Sequence, residues 1–276
     1  MFVADLHNDL VQRMMIGEDV TKNTSSGHTD IERLKLSSID LEVMIVWASE
    51  KEANTSYFDF ASKMYDKLKA LNKIEGVTVP KTLDDIKSAK EKNELSLPIG
   101  MEGGEALENK IENLEYFINK GLFYFGPTWN HSLDWVSSGY GETHKKNSLK
   151  TYGLNEFGIN VLHTCQENNV LIDVSHIGEK SFWDIKENSK KPFIASHSSV
   201  HNLCPHFRNL KDDQIKAIKD AKGLVGLNPY PFFIDPKFKI REEKIRNQYR
   251  EKLNEIANKQ ETTAGKWIAK QHFLQN

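Results

Sequence analysis

Seven short apolar runs, each separated from the next by a polar or helix-patterned stretch, restrict this chain to very few folds. They fall at residues 2–10, 39–48, 97–104, 122–129, 170–175, 193–196 and 224–228. The second, from Ile39 through Val43, Ile45, Val46 and Trp47 to Ala48, is mostly apolar rather than alternating. That pattern belongs to strands covered on both faces, as in parallel sheets. Between the runs, Tyr57, Phe58, Ala61, Met64, Tyr65, Leu68 and Leu71 recur at helical spacing, so residues 57–71 are read as an amphipathic helix with these aromatics in the core. Thr82 heads a second helix as an N-cap, and Gly121 closes one over 107–119 in the manner of a C′ glycine. Further helices are read at 158–168 and 212–219. Alternation of strand and helix predicts an α/β chain with a parallel sheet under helices, as in a TIM-like (β/α)8 barrel. Residues 11–35 and 130–150 are read as polar, irregular stretches, the first centred on residues 25–28.

The 276 residues suit one barrel domain spanning 1–276, of which 235–276 form a charged, helix-patterned C-terminal stretch. A formal net charge of −2 gives no reason to expect nucleic acid or an anionic membrane as partner. Two cysteines, Cys165 and Cys204, make no disulfide framework and read as buried thiols. Neither a basic-then-apolar leader nor a membrane-spanning run is seen, so a cytoplasmic location is expected.

The chemistry-bearing residues gather at the carboxyl ends of the runs. His7 and Asp9 are two apart on the first strand and therefore share a side. Glu102, His176 and His197 end three other strands. Each alone is most simply a satisfied polar group. Together they are two carboxylates and three imidazoles at one barrel mouth, which suits one or two zinc ions.

Longer stretches reinforce this reading. His7-Asn8-Asp9-Leu10, Gly100-Met101-Glu102-Gly103, Gly153-Leu154-Asn155-Glu156-Phe157-Gly158, Leu171-Ile172-Asp173-Val174-Ser175-His176, Ala195-Ser196-His197-Ser198 and the run from His201 through Arg208 to Leu210 follow one another in a set order. In that order they resemble the membrane dipeptidase (renal dipeptidase) family of binuclear zinc peptidases, over residues 2 to about 234. The resemblance implies a barrel of the metal-dependent hydrolase type holding two Zn2+ ions. His7 and Asp9 would bind one ion, His176 and His197 the other, and Glu102 would bridge both. It implies that water between the zincs becomes the nucleophile on a dipeptide carbonyl. Arg208 would take the dipeptide's free C-terminal carboxylate, a match for its planar fork. Dipeptidase activity is thus the leading expectation, with a homodimer left open as the assembly.

Two departures qualify it. Where better-known members place a His on the fourth strand, this chain has Trp129, followed by Asn130 and His131. Trp129 and Asn130 are therefore expected to line the substrate, and His131 to reach the space of that catalytic imidazole or else to be a loop residue. The family's eighth-strand Gly-Ser-Asp-Phe-Asp-Gly-like segment has no counterpart after Asn228. The expectation is a barrel missing its eighth strand, with impaired turnover, or one completed by another chain. Alternatives are a non-catalytic metal-binding remnant and another amidohydrolase-type hydrolase.

Overall fold

The computed structural model of the chain describes residues 1–25, 27–49, 55–260 and, near the end, 265–266, 269–270 and 273–274. Ser26, within the expected first loop centre, and much of the expected helical stretch beyond Gln260 lie outside the described residues.

Among the described residues nine strands form one sheet: β1 (Ala4–Asn8), β2 (Leu41–Trp47), β3 (Val77–Thr78), β4 (Leu95–Ser96), β5 (Ile99–Glu102), β6 (Leu122–Gly126), β7 (Leu171–Asp173), β8 (Phe193–Ser198) and β9 (Val225–Leu227). All pairings are parallel, in the order β3-β4-β2-β5-β6-β7-β8-β9, with β1 on β2. Seven of these strands correspond to the seven apolar runs, and they curl into a parallel α/β half-barrel of the TIM type. The two-residue strands β3 and β4 extend it beside β2. Among the described residues β1 pairs only with β2 and β9 only with β8, so both are edges, and Leu227 of β9 is largely exposed.

Alternation along the strands builds two apolar layers. Leu41, Val43 and Ile45 of β2 point inward and meet Leu6, Tyr124, Leu171 and Ile194 in the barrel interior. Met44 and Val46, the intervening residues, join the larger core beneath the helices with Phe60, Ala61, Met64, Tyr65 and Leu68 of the helix Tyr57–Ala70. The interior is tightly filled where Gly100 of β5 faces Tyr124 of β6. A Cβ at Gly100 would lie 2.8 Å from two atoms of that ring, so the phenol occupies space that only glycine leaves.

Local chemistry sets the helix ends. Thr82 and Asp85 form a reciprocal capping box on Leu83–Glu91, and Gly121 adopts φ 101° at the end of Ile111–Lys120. Cys165 and Cys204 are buried free thiols. Several elements exceed the sequence reading. The stretch 11–35 contains most of helices Leu10–Met15 and Ile31–Leu36, and 130–150 contains helix Gly139–His144. Helix Glu179–Asn188 was not foreseen, and the helix expected from residue 107 begins at Ile111 after a 3-10 turn over Gly104–Leu107.

Candidate metal centre

The strand ends converge on Glu102, whose carboxylate is buried and points into the barrel mouth. A register shift between Asp5 and Asn8 marks a bulge in β1 where it runs along β2. Such a bulge re-aims side chains. Here it lets His7 reach the Tyr124 hydroxyl at 3.1 Å, while Asn8 turns away to donate to Glu42. His7 Nε2 lies 3.8 Å from Glu102 Oε2 and 3.9 Å from Asp9 Oδ1. On the other oxygen, His176 Nε2 lies 3.0 Å and His197 Nε2 3.5 Å from Glu102 Oε1. The two Nε2 atoms are 3.1 Å apart. His7, Glu102 and His197 also meet the distance requirements for a shared ion, and the His7 and His197 rings are 3.8 Å apart at their centroids.

All five residues expected at the metal site are therefore neighbours, and the two oxygens of Glu102 face different sets. Asp9 differs from the rest in that its side chain is 51% exposed. His176 has φ 64°, left-handed backbone that a non-glycine residue adopts at some cost. That turn is fixed by Gly139, whose N–H donates to the His176 carbonyl.

Electrostatics fit a cation between these groups. Burial raises the Glu102 carboxyl to about 8; His7 and Arg208 pull it down, while Asp9 and Asp173 push it up. Burial, aided by nearby positive groups, pushes His176 and His197 well below the usual imidazole range, so both rings are neutral near pH 7. Glu102 Oε1 is buried with no well-formed hydrogen bond among the described residues, although two imidazole nitrogens crowd it. Converging lone pairs around an unsatisfied carboxylate are unfavourable unless a cation joins them, and the N/O donor set suits zinc.

Arg208 is 5% exposed. Its Nη2 donates to the His197 carbonyl at 3.1 Å, its guanidinium lies over the Phe233 ring, and its Nε is buried with no partner among the described residues. Burial lowers it to about 10, and Glu102 and Asp173 counter that. It lines a cavity of about 410 Å³ with His176, His206, Phe207 and Lys211. Trp129 stands beside His176, with centroids 6.4 Å apart, and edge-on to Trp47. Asn130 is engaged with the cluster itself, its Oδ1 3.2 Å from His176 Nδ1. His131 is not brought into the cluster. Its half-exposed ring packs edge-on against Trp129, and its Nδ1 faces Glu105 at 4.0 Å.

Sequence reasoning passed over Tyr124, Asp173 and Ser196, which hold the imidazoles, and Glu105, a carboxylate raised to about 7 by burial. Asp173 had a signal: a carboxylate inside the apolar Leu171-Ile172-Asp173-Val174 run has to be partnered there.

A parallel α/β half-barrel with histidines and a buried carboxylate at the carboxyl ends of its strands defines a class of catalytic and metal-binding barrels. Within that class the chain belongs to the membrane dipeptidase family (peptidase family M19), whose model matches residues 1–265. It is 36% identical over 156 residues to an uncharacterised Acinetobacter calcoaceticus protein encoded in the PQQ-III 3′ region, covering 56% of this chain and 49% of that protein. It is 25% identical over 233 residues to human dipeptidase 3, covering 81% of this chain and 46% of the relative. The chain spans about half the length of the curated relatives it matches. In fold it is similar to a Rhodobacter sphaeroides metallopeptidase solved with a phosphinate mimic of L-Ala-D-Ala. There the TM-score is 0.75 at 24% identity, covering 86% of this chain and 76% of that one. No helix among the described residues is long and apolar enough to cross a membrane.

Proposed function

We propose that this chain is a zinc-dependent dipeptidase, acting on dipeptides with a free C-terminal carboxylate. The observation that carries the reading is the division of Glu102: Oε2 faces His7, which has Asp9 3.9 Å away on its other side, and Oε1 faces His176 and His197. His7, Asp9, Glu102, His176 and His197 would hold two ions. Divalent cations held there supply electrophilic activation of the peptide carbonyl and acidify water.

The chain's own residues do the rest. Arg208, buried and with a free Nε donor, anchors the substrate carboxylate and so fixes the scissile bond over the mouth. Trp129 and Trp47 wall the mouth on the β2–β6 side and keep water from the reacting carbonyl. Asn130 serves by holding His176, and His131, beyond Trp129, is given no step. A cytosolic location and a homodimer complete the reading; fractionation and sedimentation test them.

A second reading, metal binding with little turnover, is favoured by one observation: His7 lies on β1, an edge strand. Hydrolysis assays on zinc-loaded protein separate the two. The proposal expects cleavage of an unblocked dipeptide and at least tenfold weaker cleavage of its C-terminal amide. Equal rates on both would remove Arg208 from its role, and no cleavage of either would favour the second reading.

A further inference from the structure

The hydrogen bonds behind the three imidazoles assign the proton on each ring's Nδ1. The Tyr124 hydroxyl donates to the Leu6 carbonyl at 2.9 Å, and a carbonyl can only accept. The phenol's single proton is thereby used, so His7 Nδ1, 3.1 Å away, has to donate to the phenol oxygen. Ser196 repeats the arrangement with different groups. Its hydroxyl donates to Asp173 Oδ2 at 2.6 Å, so its oxygen accepts from His197 Nδ1 at 2.7 Å. Asp173 is anchored in turn by the backbone N–H groups of Ser175 and Ser196, both donating to Oδ1. The Asn130 amide oxygen accepts from His176 Nδ1.

We infer that Tyr124, the Asp173–Ser196 pair and Asn130 are positioning residues. Each presents only an acceptor to its ring and so locks one histidine in the Nδ1–H tautomer, with all three Nε2 lone pairs facing Glu102 before any ion arrives. Tyr124 and Ser196 act as one-proton relays: a hydroxyl committed to a fixed acceptor has only an acceptor left for the imidazole. This deepens the metal reading above and rests on it. The arrangement excludes the Nε2–H form, in which a ring would donate to Glu102 and be unable to ligate. It also fixes ring rotation, since Nδ1 and Nε2 are both committed.

Two measurements decide it. Imidazole nitrogen-15 spectra of metal-free protein should show His7, His176 and His197 neutral and protonated on Nδ1. An Nε2–H form at His7 or His197 would overturn the relay. Zinc affinity is then measured by competition with a chromophoric chelator in wild type, Ser196→Ala, Ser196→Thr and Tyr124→Phe. Loss of an outer partner of this kind typically weakens metal binding about 10–100-fold. We expect such a loss in Ser196→Ala and Tyr124→Phe, with Ser196→Thr, which keeps the hydroxyl, close to wild type. Folded Ser196→Ala and Tyr124→Phe with wild-type affinity would overturn the inference. If neither variant folds, the wild-type spectra still decide. Wild type with the Nδ1–H tautomers but no zinc binding would sink the metal reading and leave the tautomer assignment standing.

Discussion

Glu42 allows a quantitative test of how this fold treats a carboxyl close to its site. The residue is 1% exposed; it accepts a hydrogen bond from Asn8 on one oxygen and leaves the other, Oε2, buried without a partner among the described residues. Burial, and then repulsion from Asp5, raise it from 4.5 to about 7. Because the folded state prefers the neutral acid, its stability is greatest below pH 4.5, falls as pH rises towards 7 and is flat above that. The interval between those values corresponds to about 3 kcal/mol at most. Glu42→Gln keeps the acceptor for Asn8 and cannot ionise. The variant should therefore match wild type near pH 4 and exceed it by about 2–3 kcal/mol at pH 8. For a chain of this size that is on the order of 5–10 °C in Tm. Denaturant unfolding of both proteins at pH 4, 6 and 8 measures it. Parallel stability profiles, with no gain between pH 4.5 and 7, would refute the burial argument.

Other expectations follow from the same geometry. Arg208→Lys should weaken a competitive inhibitor bearing a free carboxylate by about 10–100-fold, because a point charge loses the bidentate fork and one charge-assisted bond is worth about 1.5–3 kcal/mol; inhibition constants for the two proteins check it. Gly100→Ala should cost about 1–3 kcal/mol through overpacking, since its Cβ would meet the Tyr124 ring at 2.8 Å. Thermal unfolding reads that loss, which should come with weaker zinc binding as the phenol is pushed off His7.

The barrel was legible because its strands are apolar on both faces, and runs such as 39–48 leave no other use for so many β-branched residues. The cluster around Glu102 was legible because His7, Asp9, Glu102, His176 and His197 interrupt apolar runs at their carboxyl ends. The short strands Val77–Thr78 and Leu95–Ser96 were not, since two residues show no periodicity. Helix Gly139–His144 was hidden for another reason. Its glycines and threonine are poor helix formers, and it is held by tertiary bonds: the Gly139 N–H to the His176 carbonyl, and Glu142 accepting from Ser137 and Lys180. Asn130 and His131 are adjacent in sequence with opposite fates, one against His176 and one half-exposed. Only the turn geometry after β6 separates them.

The central claim is that Glu102 serves two sets of ligands with its two oxygens, and metal stoichiometry tests it most directly. Chelator-treated wild type and Glu102→Gln are incubated with zinc, freed of loose metal by gel filtration, and their bound zinc is measured per chain. The account predicts two ions in wild type and a loss at both positions in the variant, because each set shares that one carboxylate. A Glu102→Gln protein that is folded and retains the wild-type zinc content would contradict it.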